Sequence, residues 1–97
     1  MTNLKDKVAV VFAASGVVAG AVAKSLAEHG AKVYLSSRDL ASVEALAAKI
    51  KLHGGWAEAH QVDAMNEGEI DSHLSSIVAD NGSLDIVFNG IGAIKAE

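Results

Sequence analysis

Lys7–Asp39 reads KVAVVFAASGVVAGAVAKSLAEHGAKVYLSSRD, and the order of its parts decides the fold. An apolar run, Val8 to Phe12, leads into a turn of small residues, Ala13 to Gly16. A helical pattern follows from Val17 to His29, then a second apolar run from Lys32 to Ser36. Short apolar runs bounded by small residues fit strands that are buried on both faces. In the helix, Val18, Val22 and Leu26 recur at i, i+4 and i+8, a stripe expected to face the sheet. Ala19 and Ala23 lie beside that stripe and allow close packing. Gly30, after His29, predicts a left-handed helix cap. The whole stretch is a βαβ unit.

The rest of the chain extends this unit. Asp39 is a good N-cap for a second helix whose apolar positions are Leu40, Val43, Leu46, Ala47 and Ile50, ending near Gly54-Gly55. Trp56 to Val62 reads as a third strand, less apolar and suited to a sheet edge. Asn66 and Glu69 have the spacing of a capping box for a third helix. Its stripe is Ile70, Leu74, Ile77 and Val78, and Asn81-Gly82 ends it. Leu84 to Asn89 is the fourth strand, and Gly90-Ile91-Gly92 turns the chain. The order β-α-β-α-β-α-β predicts an α/β, Rossmann-like, doubly wound parallel sheet with right-handed crossovers and strand order 3-2-1-4.

Composition narrows the function. Residues 1–97 make one small domain, half of a full doubly wound sheet; 51% of them are hydrophobic, enough for a core. A formal net charge of −4 without a basic cluster argues against nucleic acid. The chain has no cysteine, which removes disulfides and thiolate metal sites and fits the cytoplasm. The four histidines, at 29, 53, 60 and 73, lack metal-ligand spacing, and His29 and His53 are expected near helix C-termini. Val8 to Ala23 is an uncharged run of 16 residues with Lys5 and Lys7 before it, the outline of a secretory leader. Asp6 in the basic part and Ser15, Gly16 and Gly20 within the run count against that, and the run is short for a membrane span.

A strand that enters a helix through a small-residue turn suits a dinucleotide, because the backbone can approach a pyrophosphate and the first free N–H groups face the anion. In a 3-2-1-4 sheet the ligand crevice opens between strands one and four, so turns 13–16 and 90–92 would meet there.

These stretches resemble the N-terminal half of the short-chain dehydrogenase/reductase family, NAD(P)-dependent oxidoreductases with a Rossmann fold. SLAEHGAKVYLSSRD, residues 25–39, is similar to the family's helix-to-strand segment. Val62-Asp63 stands where the family has an acidic residue contacting adenine. Asp85 to Gly92, DIVFNGIG, resembles the strand that ends in Asn-Asn-Ala-Gly. Glycine usage departs from the pattern. The family's Gly-x-x-x-Gly-x-Gly falls on Ala13, Val17 and Ala19 when counted back from Gly30, and Gly90 and Ile91 replace the usual Asn and Ala. If position 13 needs a positive φ, Ala is strained there.

The resemblance implies a cofactor-binding site whose turn supplies Ala13, Ser15, Gly16 and Val18. From the end of strand two come Ser37 and Arg38. Arg38 can hold a 2′-phosphate bidentately, and no acid takes the ribose position, so NADP is favoured, with NAD as the alternative. After strand three, Asp63 and Ala64 would meet the adenine; Asp63 also reads as a local turn cap. Asn89 and Gly90 close strand four, where Gly90 would leave room for cofactor. Metal is not expected.

The family's catalytic Ser, Asn and Tyr-x-x-x-Lys all follow the Asn-Asn-Ala-Gly strand. The only tyrosine is Tyr34, and Tyr34-Leu35-Ser36-Ser37-Arg38 is not that motif. The expectation is therefore the NAD(P)-binding part of an oxidoreductase that moves hydride between NADP(H) and a carbonyl or alcohol. The 97 residues alone would be a fragment without activity, and the full-length protein a homo-oligomer. A second expectation is a non-catalytic nucleotide-binding or interaction module that completes its sheet by self-association through strand four.

Overall fold

The computed structural model describes residues 3–90. Its elements are β1 (Val8–Phe12), α1 (Val17–Glu28), β2 (Lys32–Ser37), α2 (Leu40–Leu52), β3 (Trp56–Gln61), α3 (Glu67–Asn81) and β4 (Ile86–Asn89). The four strands are parallel in the order β3-β2-β1-β4. Val10, at the centre of the sheet, pairs with Tyr34 on one side and Val87 on the other. Fold class and strand order thus follow the sequence pattern, with element ends moved by one or two residues. The expected turn at Ile91-Gly92 lies outside the described residues.

Alternation along β1 and β2 builds two cores. Ala9, Val11, Val33 and Leu35 point to the face covered by α1 and α2. Val8, Val10, Phe12 and Tyr34 point to the other, covered by α3 through Ile77. All five residues of β1 are buried, as a central parallel strand requires.

The sheet-facing side of α1 is not the expected one. Its buried residues are Ala19, Gly20, Ala23 and Ala27. Val18 is 61% exposed, and Leu26 only flanks the core. Packing explains the one-residue rotation. Four small side chains let the helix axis approach the sheet, whereas a Val18-Val22-Leu26 face would hold it further off. On α3, Val78 is likewise half-exposed, and His73 is buried together with Ile77. The α2 face agrees with expectation, burying Val43, Ala47 and Ile50.

His73 brings a pH dependence. Its ring packs edge-on to Phe12, its Nε2 is buried without a partner, and the His60 ring lies 4.9 Å away. Burial, then repulsion from His60, hold its pKa down to about 4, against some opposing pull from Glu58. The unfolded chain therefore binds this proton at a higher pH than the folded one, and stability falls as pH drops from 6.5 towards 4. Melting temperature measured between pH 7 and pH 4.5 should fall, and His73→Phe should flatten the fall. An unchanged slope in that variant would place the acid sensitivity elsewhere.

Candidate functional site

The C-terminal ends of the strands are tied into one rim by backbone hydrogen bonds. Ala14 N–H donates to the Ser36 carbonyl (2.9 Å), Val62 N–H to that of Ser37 (3.1 Å), and Gly90 N–H to that of Phe12 (3.0 Å). Side chains add to this. The Ser15 and Ser37 hydroxyls are 3.0 Å apart, linking the turn after β1 to the end of β2, and Ser37 Oγ accepts from Asp39 N–H at 3.1 Å.

Three helices start at this rim, and they are capped differently. At α2, Asp39 accepts from Ser42 N–H (3.3 Å) and from the Ser42 hydroxyl (2.6 Å). These bonds hold the Asp39 carboxyl below the usual carboxylate range. At α3, Asn66 accepts from Glu69 N–H, and Glu67 and Glu69 put negative charge in the first turn. The expected reciprocal arm of this capping box goes elsewhere: the Glu69 carboxylate accepts from Asp63 N–H at 2.9 Å. At α1, by contrast, Gly16 offers no side-chain cap and the first turn holds no acid. The N–H groups of Val17, Val18 and Ala19 find no backbone acceptor among the described residues. Orphan donors at the positive end of a helix dipole suit an anion. Of the three starts, α1 alone has that character.

The turn that feeds α1 carries strain. Ala13 has φ +58°, a left-handed conformation that disfavours a Cβ. The condition attached to position 13 is met. Ala13→Gly should therefore raise stability by about 1 kcal/mol, or several degrees in melting temperature for a domain this size. A thermal melt that is unchanged or lower would show that the turn tolerates its methyl group.

Beside this turn a cavity of about 270 Å³ is lined by Ala13, Ser15, Ser37, Arg38, Asp63 and Ala64, among others. Six of the expected site residues therefore converge. Arg38 is exposed, and its guanidinium makes no ion pair among the described residues. Asp63 does act as a turn cap, since its Oδ1 accepts from Met65 N–H at 2.9 Å, yet it also lines the cavity. Asp39, Val62 and Met65 complete the lining. Sequence reasoning had given Asp39 only a capping role and Met65 none. Met65 is 75% exposed, a large apolar side chain at the rim that no sequence pattern singles out.

The other four expected residues lie outside this lining. Gly16 and Val18 sit at the α1 start, and Asn89 and Gly90 at the end of β4. The space that Gly90 leaves is taken by protein. An added Cβ would lie 2.9 Å from the Ala19 methyl and 3.1 Å from the Phe12 carbonyl oxygen.

The remaining candidates are structural. Tyr34 is buried, and its hydroxyl accepts from Asn81 Nδ2 at 2.8 Å. Trp56 packs edge-on to Tyr34 with Lys32 Nζ over its ring, a rim role. His29 and His53 cap their helices, each Nδ1 reaching the carbonyl four residues back. No group of three or more metal-ligating side chains converges, and no helix is long and apolar enough to cross a membrane, both among the described residues.

A cavity over the C-terminal ends of β1, β2 and β3, on the β2 side of β1 rather than at the expected crevice between β1 and β4, lies beside an anion-ready helix start in a Rossmann-like 3-2-1-4 parallel sheet. Residues 7–97 match the family described as short chain dehydrogenase, and the chain belongs to that family of oxidoreductases. It is 33% identical over 90 residues to the uncharacterized oxidoreductase UxuB of Bacillus subtilis, an alignment covering 93% of this chain and 32% of that one. A metagenomic short-chain oxidoreductase in complex with NADP superposes with a TM-score of 0.82 at 32% identity, over 86% of this chain and 38% of that one. An oxidoreductase from Haemophilus influenza with bound NAD gives 0.81 at 28% identity, over 89% and 31%. The chain thus spans about a third of the length of these relatives. Both nicotinamide dinucleotides occur among them, so a cofactor of this type is supported for the family unit.

Proposed function

We propose that this chain is the dinucleotide-binding part of a reductase that transfers hydride between NADP(H) and a carbonyl or alcohol substrate. One observation carries the reading: the turn that leads into the bare α1 start lines the same cavity as Arg38, which has no ion pair among the described residues, and the Ser15–Ser37 contact joins the two. The Val17, Val18 and Ala19 N–H groups would receive the pyrophosphate, acting as fixed dipoles that need no reorganisation. Arg38, with Ser37 beside it, would hold a 2′-phosphate by charge-assisted hydrogen bonds. Asp39 makes no ion pair with that guanidinium among the described residues, and Ser42 donates to each of its oxygens. Asp63 keeps one carboxylate oxygen without a partner among the described residues, able to accept from the adenine amino group. The nicotinamide supplies the hydride chemistry; the residues described here bind and orient.

Substrate binding and proton transfer are assigned to parts of the protein beyond the matched third. Within this reading the whole protein is a cytoplasmic homo-oligomer. Calorimetric titration with NADPH and NADH side by side tests the proposal. NADPH should bind at least about tenfold more tightly, the equivalent of one good charge-assisted bond. Equal affinities would overturn the cofactor choice, and failure of both to bind would overturn the site.

A further inference from the structure

The Ala19–Gly90 contact joins two places where the chain departs from its family's pattern. Gly90 follows β4 and donates its N–H to the Phe12 carbonyl at 3.0 Å. A Cβ built on it would stand 2.9 Å from the Ala19 Cβ, 3.1 Å from the Phe12 oxygen and 3.3 Å from the Ala13 oxygen. Contacts that short do not persist, so something must move. Two of the neighbours are backbone, and Ala19 is itself 98% buried by the sheet, being only 2% exposed.

We propose that Ala19 and Gly90 are a matched pair that positions the anion-facing turn, with room for one side chain between them and not for two. The three atoms nearest a Cβ at 90 belong to the end of β1, the turn after it and the first turn of α1. Phe12 and Ala13 carry the chain into the strained conformation at Ala13. Ala19 bears one of the three α1 N–H groups without a backbone acceptor among the described residues. Gly90 therefore acts on the site through its neighbours, as a positioning residue.

The proposal rests on the dinucleotide reading for its functional half and on packing alone for the other. The test is a double-mutant cycle of Ala19→Gly, Gly90→Ala and the pair, made in the full chain that carries these residues. Melting temperature and NADPH affinity are read for each, the latter at a temperature where all variants are folded. Gly90→Ala should lower the melting temperature and weaken NADPH binding about tenfold. Ala19→Gly alone supplies the second single-variant arm, whose own effect is measured and subtracted in the cycle. Adding Ala19→Gly to Gly90→Ala should recover part of both losses, because the shortest contact is removed while those to the Phe12 and Ala13 carbonyl oxygens remain.

Strictly additive effects, or a Gly90→Ala variant equal to the parent, would overturn the pairing. So would a Gly90→Ala variant that fails to fold and is not rescued by Ala19→Gly. Rescue of the melting temperature without rescue of binding would confine the pair to packing and overturn its positioning role. If the parent itself does not bind NADPH, the dinucleotide reading and the positioning role fall together, while the melting cycle still decides the packing pair.

Discussion

Arg38→Asp is expected to weaken NADPH binding roughly a hundredfold while changing NADH binding by less than about threefold. The asymmetry follows from what each ligand presents. A 2′-phosphate beside Arg38 gains charge-assisted hydrogen bonds worth about 1.5–3 kcal/mol, and an Asp there would replace attraction with repulsion. A ribose with a free 2′-hydroxyl loses no such partner, and an acid at the end of β2 can accept from it. Because the Arg38 side chain is exposed, with no ion pair among the described residues, the substitution should leave the fold intact. Equal losses for both cofactors, with an unchanged melt, would show that Arg38 is a solvated charge.

The second large effect is on stability. Leu35→Ala should cost about 3–4 kcal/mol, a sizeable share of the few kcal/mol by which a small domain is stable. Leu35 has no exposed surface and sits at the centre of the core between β2 and the α1–α2 layer, beside Val11 and Val43. The helices and flanking strands cannot close over the vacated space without shifting the parallel register around Val11↔Leu35↔Ala59. Urea unfolding measures the loss. A change under 1 kcal/mol would mean that the core repacks around the gap.

The sheet was legible because its signals are local and redundant. Three apolar runs and the less apolar Trp56–Val62 stretch mark the strands, and helical spacing between them implies parallel crossovers. The α1 face was misread because hydrophobicity does not report distance of approach. Val18, Val22 and Leu26 make the more apolar stripe, yet the alanines and Gly20 lie against the sheet. His73 was hidden for a similar reason: a polar symbol in a helical stripe reads as solvent-facing, while Phe12 and His60 supply an aromatic niche for it. At the site, Ser37, Arg38 and Asp63 could be placed from strand ends alone. The contact between Gly90 and Ala19 could not, since it joins residues 71 positions apart (90 − 19) through an interatomic distance.

The central claim is that the α1 start and the Arg38 cavity together hold a phosphorylated dinucleotide. Backbone amide shifts followed during NADPH titration test it most directly. The account predicts saturable changes concentrated at residues 13–19, 37–38 and 62–65, with NADH perturbing 37–38 far less. Changes centred on the His60–His73 face, or none up to millimolar cofactor, would contradict it.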